Sequence, residues 1–147
     1  MKSIKAATLG AAPLSAILAP GAAAEYFQYG TLSAHEGGRL VARGYGSHGM
    51  DFSHGRVGGT HTVRYPRPGG SPAFGKVLYQ YTSNSVAVGA WQQVSAPPNY
   101  TGSWITRTAI HSLNLNNKFV TTKPQVCQRD DWAPDDCATG APRNHKI

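Results

Sequence analysis

Apolar and polar residues alternate with a period of two along much of this chain. Val77, Tyr79 and Tyr81 alternate with Lys76, Leu78, Gln80 and Thr82, and after Ser83-Asn84-Ser85 the run Val86, Val88, Ala90 alternates with Ala87, Gly89 and Trp91. Successive side chains on a strand point to opposite faces, so this segment reads as a hairpin turning near Asn84. A second hairpin is predicted from Trp104 to Leu113, rich in Thr, Ile and Trp, through the turn chemistry of Asn114 to Asn117, and back along Lys118 to Cys127. Shorter strands are expected at Arg39 to Arg43 and Thr60 to Tyr65. The stretch Gly44 to Gly59 holds six Gly and reads as loop or interrupted edge strand. Pro66 to Gly75 reads as a connector and Thr139 to Ile147 as a frayed tail. No long window keeps apolar residues at helical spacing without a Gly or Pro interrupting it. The expected fold is all-β, a small antiparallel β-sandwich or open barrel with one C-terminal disulfide hairpin.

The first 24 residues depart from this pattern. Lys2 and Lys5 precede an apolar run from Ala6 to Leu18, followed by Pro20-Gly21 and Ala22-Ala23-Ala24. That order is the order of a secretory signal peptide cleaved after Ala24, leaving 25–147 as a single secreted, extracellular β domain. The run contains Gly10 and Pro13 and falls short of the roughly 20 residues a spanning helix needs, so no transmembrane segment is expected here or later. Export to an oxidising compartment predicts that Cys127 and Cys137 are bonded to each other, an intermolecular pair being the alternative. With nine residues between them, such a bridge contributes on the order of 2–3 kcal/mol by the chain-entropy relation.

Composition narrows the chemistry. With 40% hydrophobic residues, 14% charged residues, 17 Gly and 10 Pro in 147 positions, the chain is too apolar for a disordered polyelectrolyte and too interrupted for a helical bundle. Carboxylates are scarce: Glu25, Glu36 and Asp51 stand alone, and Asp130, Asp131, Asp135 and Asp136 cluster between the cysteines. The cluster lacks the spacing of an EF-hand loop and reads as a solvated hairpin tip. His35, His48, His54, His61, His111 and His145 are too loosely spaced for paired zinc ligands on a helix, with no free Cys to join them, and read as surface or half-buried structural residues. No metal, cofactor or catalytic set is expected. An enzyme would need Asp51 or Glu36 beside a His in one cleft.

Charge points to partners. From Glu25 to Arg129 there are 10 basic residues against three acids, with Arg39, Arg43, Arg56, Arg64 and Arg67 within 29 positions. Such a surface attracts polyanions, and guanidinium groups suit bidentate phosphate contact. A secreted chain meets anionic envelope components before nucleic acid, so an envelope component or a secreted partner protein is expected and nucleic acid is not. Trp132, at the centre of the acidic loop, either folds back on the sheet or serves as an exposed anchor for a partner.

Several segments, in order, resemble the lactococcin 972-like bacteriocins. Tyr26-Phe27-Gln28-Tyr29-Gly30 is similar to that family's aromatic-x-Tyr-Gly opening, and Gly37-Gly38-Arg39 leading to Tyr45 and His48 to its Gly-rich stretch. Thr60-His61-Thr62-Val63 resembles its His-bearing strand, and Gly89-Ala90-Trp91 with Val94-Ser95-Ala96-Pro97 its Gly-x-Trp and Ser-Ala segment. The resemblance covers about half the chain. It implies a two-sheet β fold, no enzyme activity and action at the envelope of competing bacteria, alone or as a binding subunit of a secreted antibacterial complex. The alternative expectation is a small secreted cell-wall hydrolase.

Overall fold

β1 (Ala24–Glu36) and β2 (Arg39–Asp51) form the first hairpin, closed by Gly37 and Gly38 at φ 58° and 81°, the left-handed region that a tight two-residue turn demands and a side chain resists. The computed structural model describes residues 24–66, 71–83, 86–114, 119–130 and 132–145. The predicted signal peptide up to residue 23, and Arg67, lie outside them. Seven more strands follow: β3 (Arg56–Arg64), β4 (Ala73–Ser83), β5 (Val86–Ser95), β6 (Ile105–Ser112), β7 (Phe119–Gln128), β8 (Asp136–Thr139) and β9 (Arg143–His145). All pairings are antiparallel and build two sheets. Sheet one runs β9-β7-β4-β5, with β8 also on β7; sheet two runs β1-β2-β3-β6. β2 packs over β7, β3 over β4 and β1 over β8, so the fold is a sandwich and not a closed barrel.

The β4–β5 hairpin is the one predicted, with Val77 and Tyr79 turned inward. The second hairpin is not. β6 pairs with β3 in sheet two, whereas β7 lies between β4 and β8/β9 in sheet one. Turn residues reverse a chain without choosing its partner. The burial of the two strands separates them: β7 is covered along most of its length, as a central strand is, while β6 is exposed at nearly every position, as an edge is.

The Gly44 to Gly59 stretch is not a loop or an edge strand: apart from the turn at 52–55, it belongs to β2 and β3, the central strands of sheet two. Its glycines serve close approach of neighbouring strands: a Cβ on Gly46 would lie 1.9 Å from the Thr60 carbonyl oxygen, and one on Gly59 1.9 Å from that of Ser47. The C-terminal tail is not frayed either. β8 and β9 lie one after the other along the same side of β7, interrupted at Gly140-Ala141-Pro142, and His145 is fully buried. The Cys127–Cys137 disulfide forms as expected, tying β8 to β7 where the two residues are direct cross-strand partners.

Two apolar clusters fill the space between the sheets. One holds Tyr29, Ala34, Val41, Ala42, Val63, Tyr65, Ala73 and Val126; the other holds Met50, Val57, Val77, Tyr79 and Val120. On β2, β3, β4 and β7 the residues between these clusters are His48, His61, Gly75 and Thr122, so a polar layer crosses the middle of the core.

Candidate binding face and the buried polar layer

The polar layer is assembled from six strands. Thr122 Oγ1 stands 2.8 Å from His48 Nδ1 and 2.7 Å from His145 Nε2, while His145 Nδ1 stands 2.8 Å from Glu25 Oε1. A carboxylate only accepts, so Nδ1 of His145 carries the proton, and neutral His145 presents Nε2 as an acceptor. The Thr122 hydroxyl therefore donates to His145 and accepts from His48 Nδ1–H, giving one direction along the whole chain of bonds. Burial lowers the pKa of all three histidines, His48 to about 3 and His61 to about 4; for His145 the Glu25 carboxylate opposes the effect. His61 Nδ1 meets Tyr29 Oη at 2.6 Å, its Nε2 is enclosed without a partner, and its ring fills the space a side chain at residue 75 would need. A surface or half-buried place was expected for the histidines; these three are instead fully buried, at the centre of the core.

The outer face of sheet two has a different composition. Arg43 and Arg64 are direct cross-strand partners, two positions from the pair Tyr45 and Thr62 on the same face. Thr62 in turn faces Thr106, their hydroxyls 2.8 Å apart, and Thr60 faces Thr108 at 3.3 Å. Trp104, just before β6, meets the Tyr45 ring with centroids 5.5 Å apart and planes inclined at 52°; the two residues are 43% and 45% exposed. Among the described residues, neither Arg43 nor Arg64 has a carboxylate within 4 Å. Like charges placed opposite on a sheet repel, so this pair costs stability that no neighbouring acid restores.

The other predicted site residues separate from this pair. Arg39 lies 3.7 Å from Glu36. Arg56 is the cross-strand partner of Asp51, eight positions from Arg43 along the register, about 26 Å at the rise of a strand. The four described arginines, Arg39, Arg43, Arg56 and Arg64, thus do not form one patch. Trp132 does not fold back: it is 96% exposed on the loop between β7 and β8. That loop is less solvated than its composition suggests. Asp130 Oδ1 accepts from the backbone of Trp132 and Ala133, Asp135 Oδ1 accepts from the backbone of Asp130, and Asp130 and Asp136 are half-buried. Asp130 and Asp136 bring carboxylate oxygens within 4.8 Å of Glu36, where the disulfide hairpin lies beside the β1–β2 turn.

Two groupings bear on catalysis. Asp51 does lie beside a histidine: its Oδ2 is 2.8 Å from His54 Nδ1, on an exposed turn. Ser53 Oγ meets that same nitrogen at 2.9 Å. A base that activates a hydroxyl needs one ring nitrogen for the nucleophile and the other for the carboxylate, so this is a turn clamp and not a triad. Glu25, His145 and Thr122 do have the triad order, but the hydroxyl and the imidazole are sealed in the core. Tyr45, Trp104 and the threonine rows were not singled out from sequence as a binding set, although the alternation Thr60, Thr62, Arg64 carries their signal. Comparison with family models, with curated proteins and with solved structures finds no match for this chain.

Proposed function

We propose that the protein is a secreted, non-enzymatic, bacteriocin-like β-sandwich that acts at the bacterial cell envelope by binding an anionic component on the outer face of sheet two. The observation that carries this reading is the pair Arg43 and Arg64, set opposite each other on adjacent strands with no carboxylate within 4 Å of either among the described residues. An arrangement that costs the fold and places two guanidinium groups side by side supports capture of phosphate or carboxylate groups. The disulfide supports an extracellular setting. The shared nitrogen in the Asp51–His54–Ser53 turn and the enclosure of Thr122 favour binding over the alternative of a wall hydrolase.

The test is retention of purified protein on bacterial wall fractions across a salt series. Retention should fall steeply between low and high ionic strength, because screening shortens the Debye length to about 3 Å at 1 M. The double substitution Arg43→Gln, Arg64→Gln should abolish retention at physiological salt while leaving the circular dichroism spectrum unchanged. Retention indifferent to both would overturn the reading. A second reading, a subunit of a secreted complex, is favoured by Trp132, whose near-complete exposure suits an anchor entering a partner's pocket. Recovery of a protein partner that is lost with Trp132→Ala supports it.

A further inference from the structure

The surroundings of Arg43 and Arg64 narrow the ligand class, on the reading that this face binds an anion at all. Bare polyphosphate would be served by cations alone. Among the described residues, Arg43 and Arg64 are the directly opposed cations at one end of the face, Arg56 lies at its far end across from Asp51, and between them the face consists of aromatic rings and hydroxyls: Tyr45 and Trp104 on one flank, then the rows Thr62–Thr106 and Thr60–Thr108. Exposed aromatic rings offer flat apolar area against which the C–H face of a pyranose can lie. Threonine hydroxyls both donate and accept, matching sugar hydroxyls, which do the same. A single-stranded nucleic acid fits less well, because it wants successive aromatic platforms under successive bases and a continuous basic track under evenly spaced phosphates. A membrane surface fits less well too, since the face presents hydroxyls where an inserting surface would present apolar side chains.

We infer that the outer face of sheet two is a site for a phosphate-bearing polysaccharide, with sugar rings against Tyr45 and Trp104, sugar hydroxyls along the threonine rows, and phosphate on Arg43 and Arg64. The register supports one continuous site: Arg43 and Tyr45 are alternate residues of β2, Arg64 and Thr62 alternate residues of β3, and Trp104 closes onto Tyr45 from the start of β6.

The experiment compares four soluble probes by isothermal titration: phosphomannan, the same mannan stripped of phosphate, inorganic polyphosphate, and a single-stranded oligonucleotide. Phosphomannan is expected to bind at least tenfold more tightly than any of the others. Joint replacement Tyr45→Ala, Trp104→Ala should weaken phosphomannan at least tenfold and leave polyphosphate unchanged; Tyr45→Phe, Trp104→Phe, which keeps both rings, should restore phosphomannan binding and guards against a folding defect. Equal binding of polyphosphate and phosphomannan, indifferent to the rings, overturns the glycan site while leaving electrostatic envelope binding intact. Tighter binding of the oligonucleotide or of the stripped mannan overturns it as well. Wall retention that survives loss of both arginines overturns the underlying reading instead.

Discussion

His145 and Glu25 stand 120 positions apart in the sequence and 2.8 Å apart in the fold, joined through Nδ1 of the imidazole and Oε1 of the carboxylate. The bond matters because of what it fixes downstream. By setting the tautomer of His145 it sets the direction of the Thr122 hydroxyl, and with that the proton on His48.

Thr122→Val tests this chain of bonds. Valine nearly matches threonine in shape, removes the hydroxyl, and leaves a buried ring nitrogen without a partner on each of His48 and His145. The expected loss is about 2–3 kcal/mol in urea denaturation, whereas Thr122→Ser, which keeps the hydroxyl, should recover most of it. Equal stability of the valine and serine variants would contradict the assignment.

Stability should decline in acid well before the carboxylates titrate. In the unfolded chain a histidine titrates near 6.5, but burial holds His48 to about 3 and His61 to about 4 in the fold. Below about pH 6.5 the unfolded state therefore binds more protons, and each of these histidines removes up to about 1.4 kcal/mol per pH unit, down to its folded value. Above pH 7 they contribute no slope. Tm measured from pH 7.5 to 4.5 should be level and then fall, and His61→Phe should reduce the acid slope whatever it does to Tm at pH 7.5.

Gly75→Ala should be among the most damaging single-methyl changes in the molecule. The added carbon would sit 2.2 Å from His61 Cγ, and that ring is held between the sheets by Tyr29. A cost of about 3 kcal/mol or a failure to fold is expected, and a soluble variant with unchanged Tm would refute the packing described for His61.

Stability and binding should part company at Arg43. Arg43→Gln removes a repulsion from the directly opposed Arg64, so a gain of about 0.3 kcal/mol is expected, together with weaker retention on wall fractions. A variant that loses both stability and retention would assign Arg43 a structural role instead.

The sheet character of the chain was legible wherever apolar residues alternate over several positions, as they do around Val77 and Tyr79. It was illegible in Gly44 to Gly59, because glycine carries no apolar signal and its use here depends on how near the adjacent strands come. The partners of β6 and β7 were misread because pairing is settled by which edges stand open, a tertiary matter absent from any local window. Of the candidate site, the arginines were visible as charge; that Arg39 would be offset by Glu36, and that Arg56 would lie across from Asp51 far from Arg43, required the register. The buried histidines were hidden by their ordinary surface habit, although Val57, His61 and Val63 share one parity along β3 and so one inward face.

The polar layer also orders events in time. Its members lie on strands from the beginning, middle and end of the chain, and the last of them, His145, belongs to a strand of three residues with little to hold it until β7 is in place. Loop-closure entropy must be met before such distant contacts repay it, which makes a topology of this kind slow to reach its native state. The three-residue strand that carries His145 is thus expected to lock after β7 has found its place, and until it does, Thr122 lacks one of its two histidine partners.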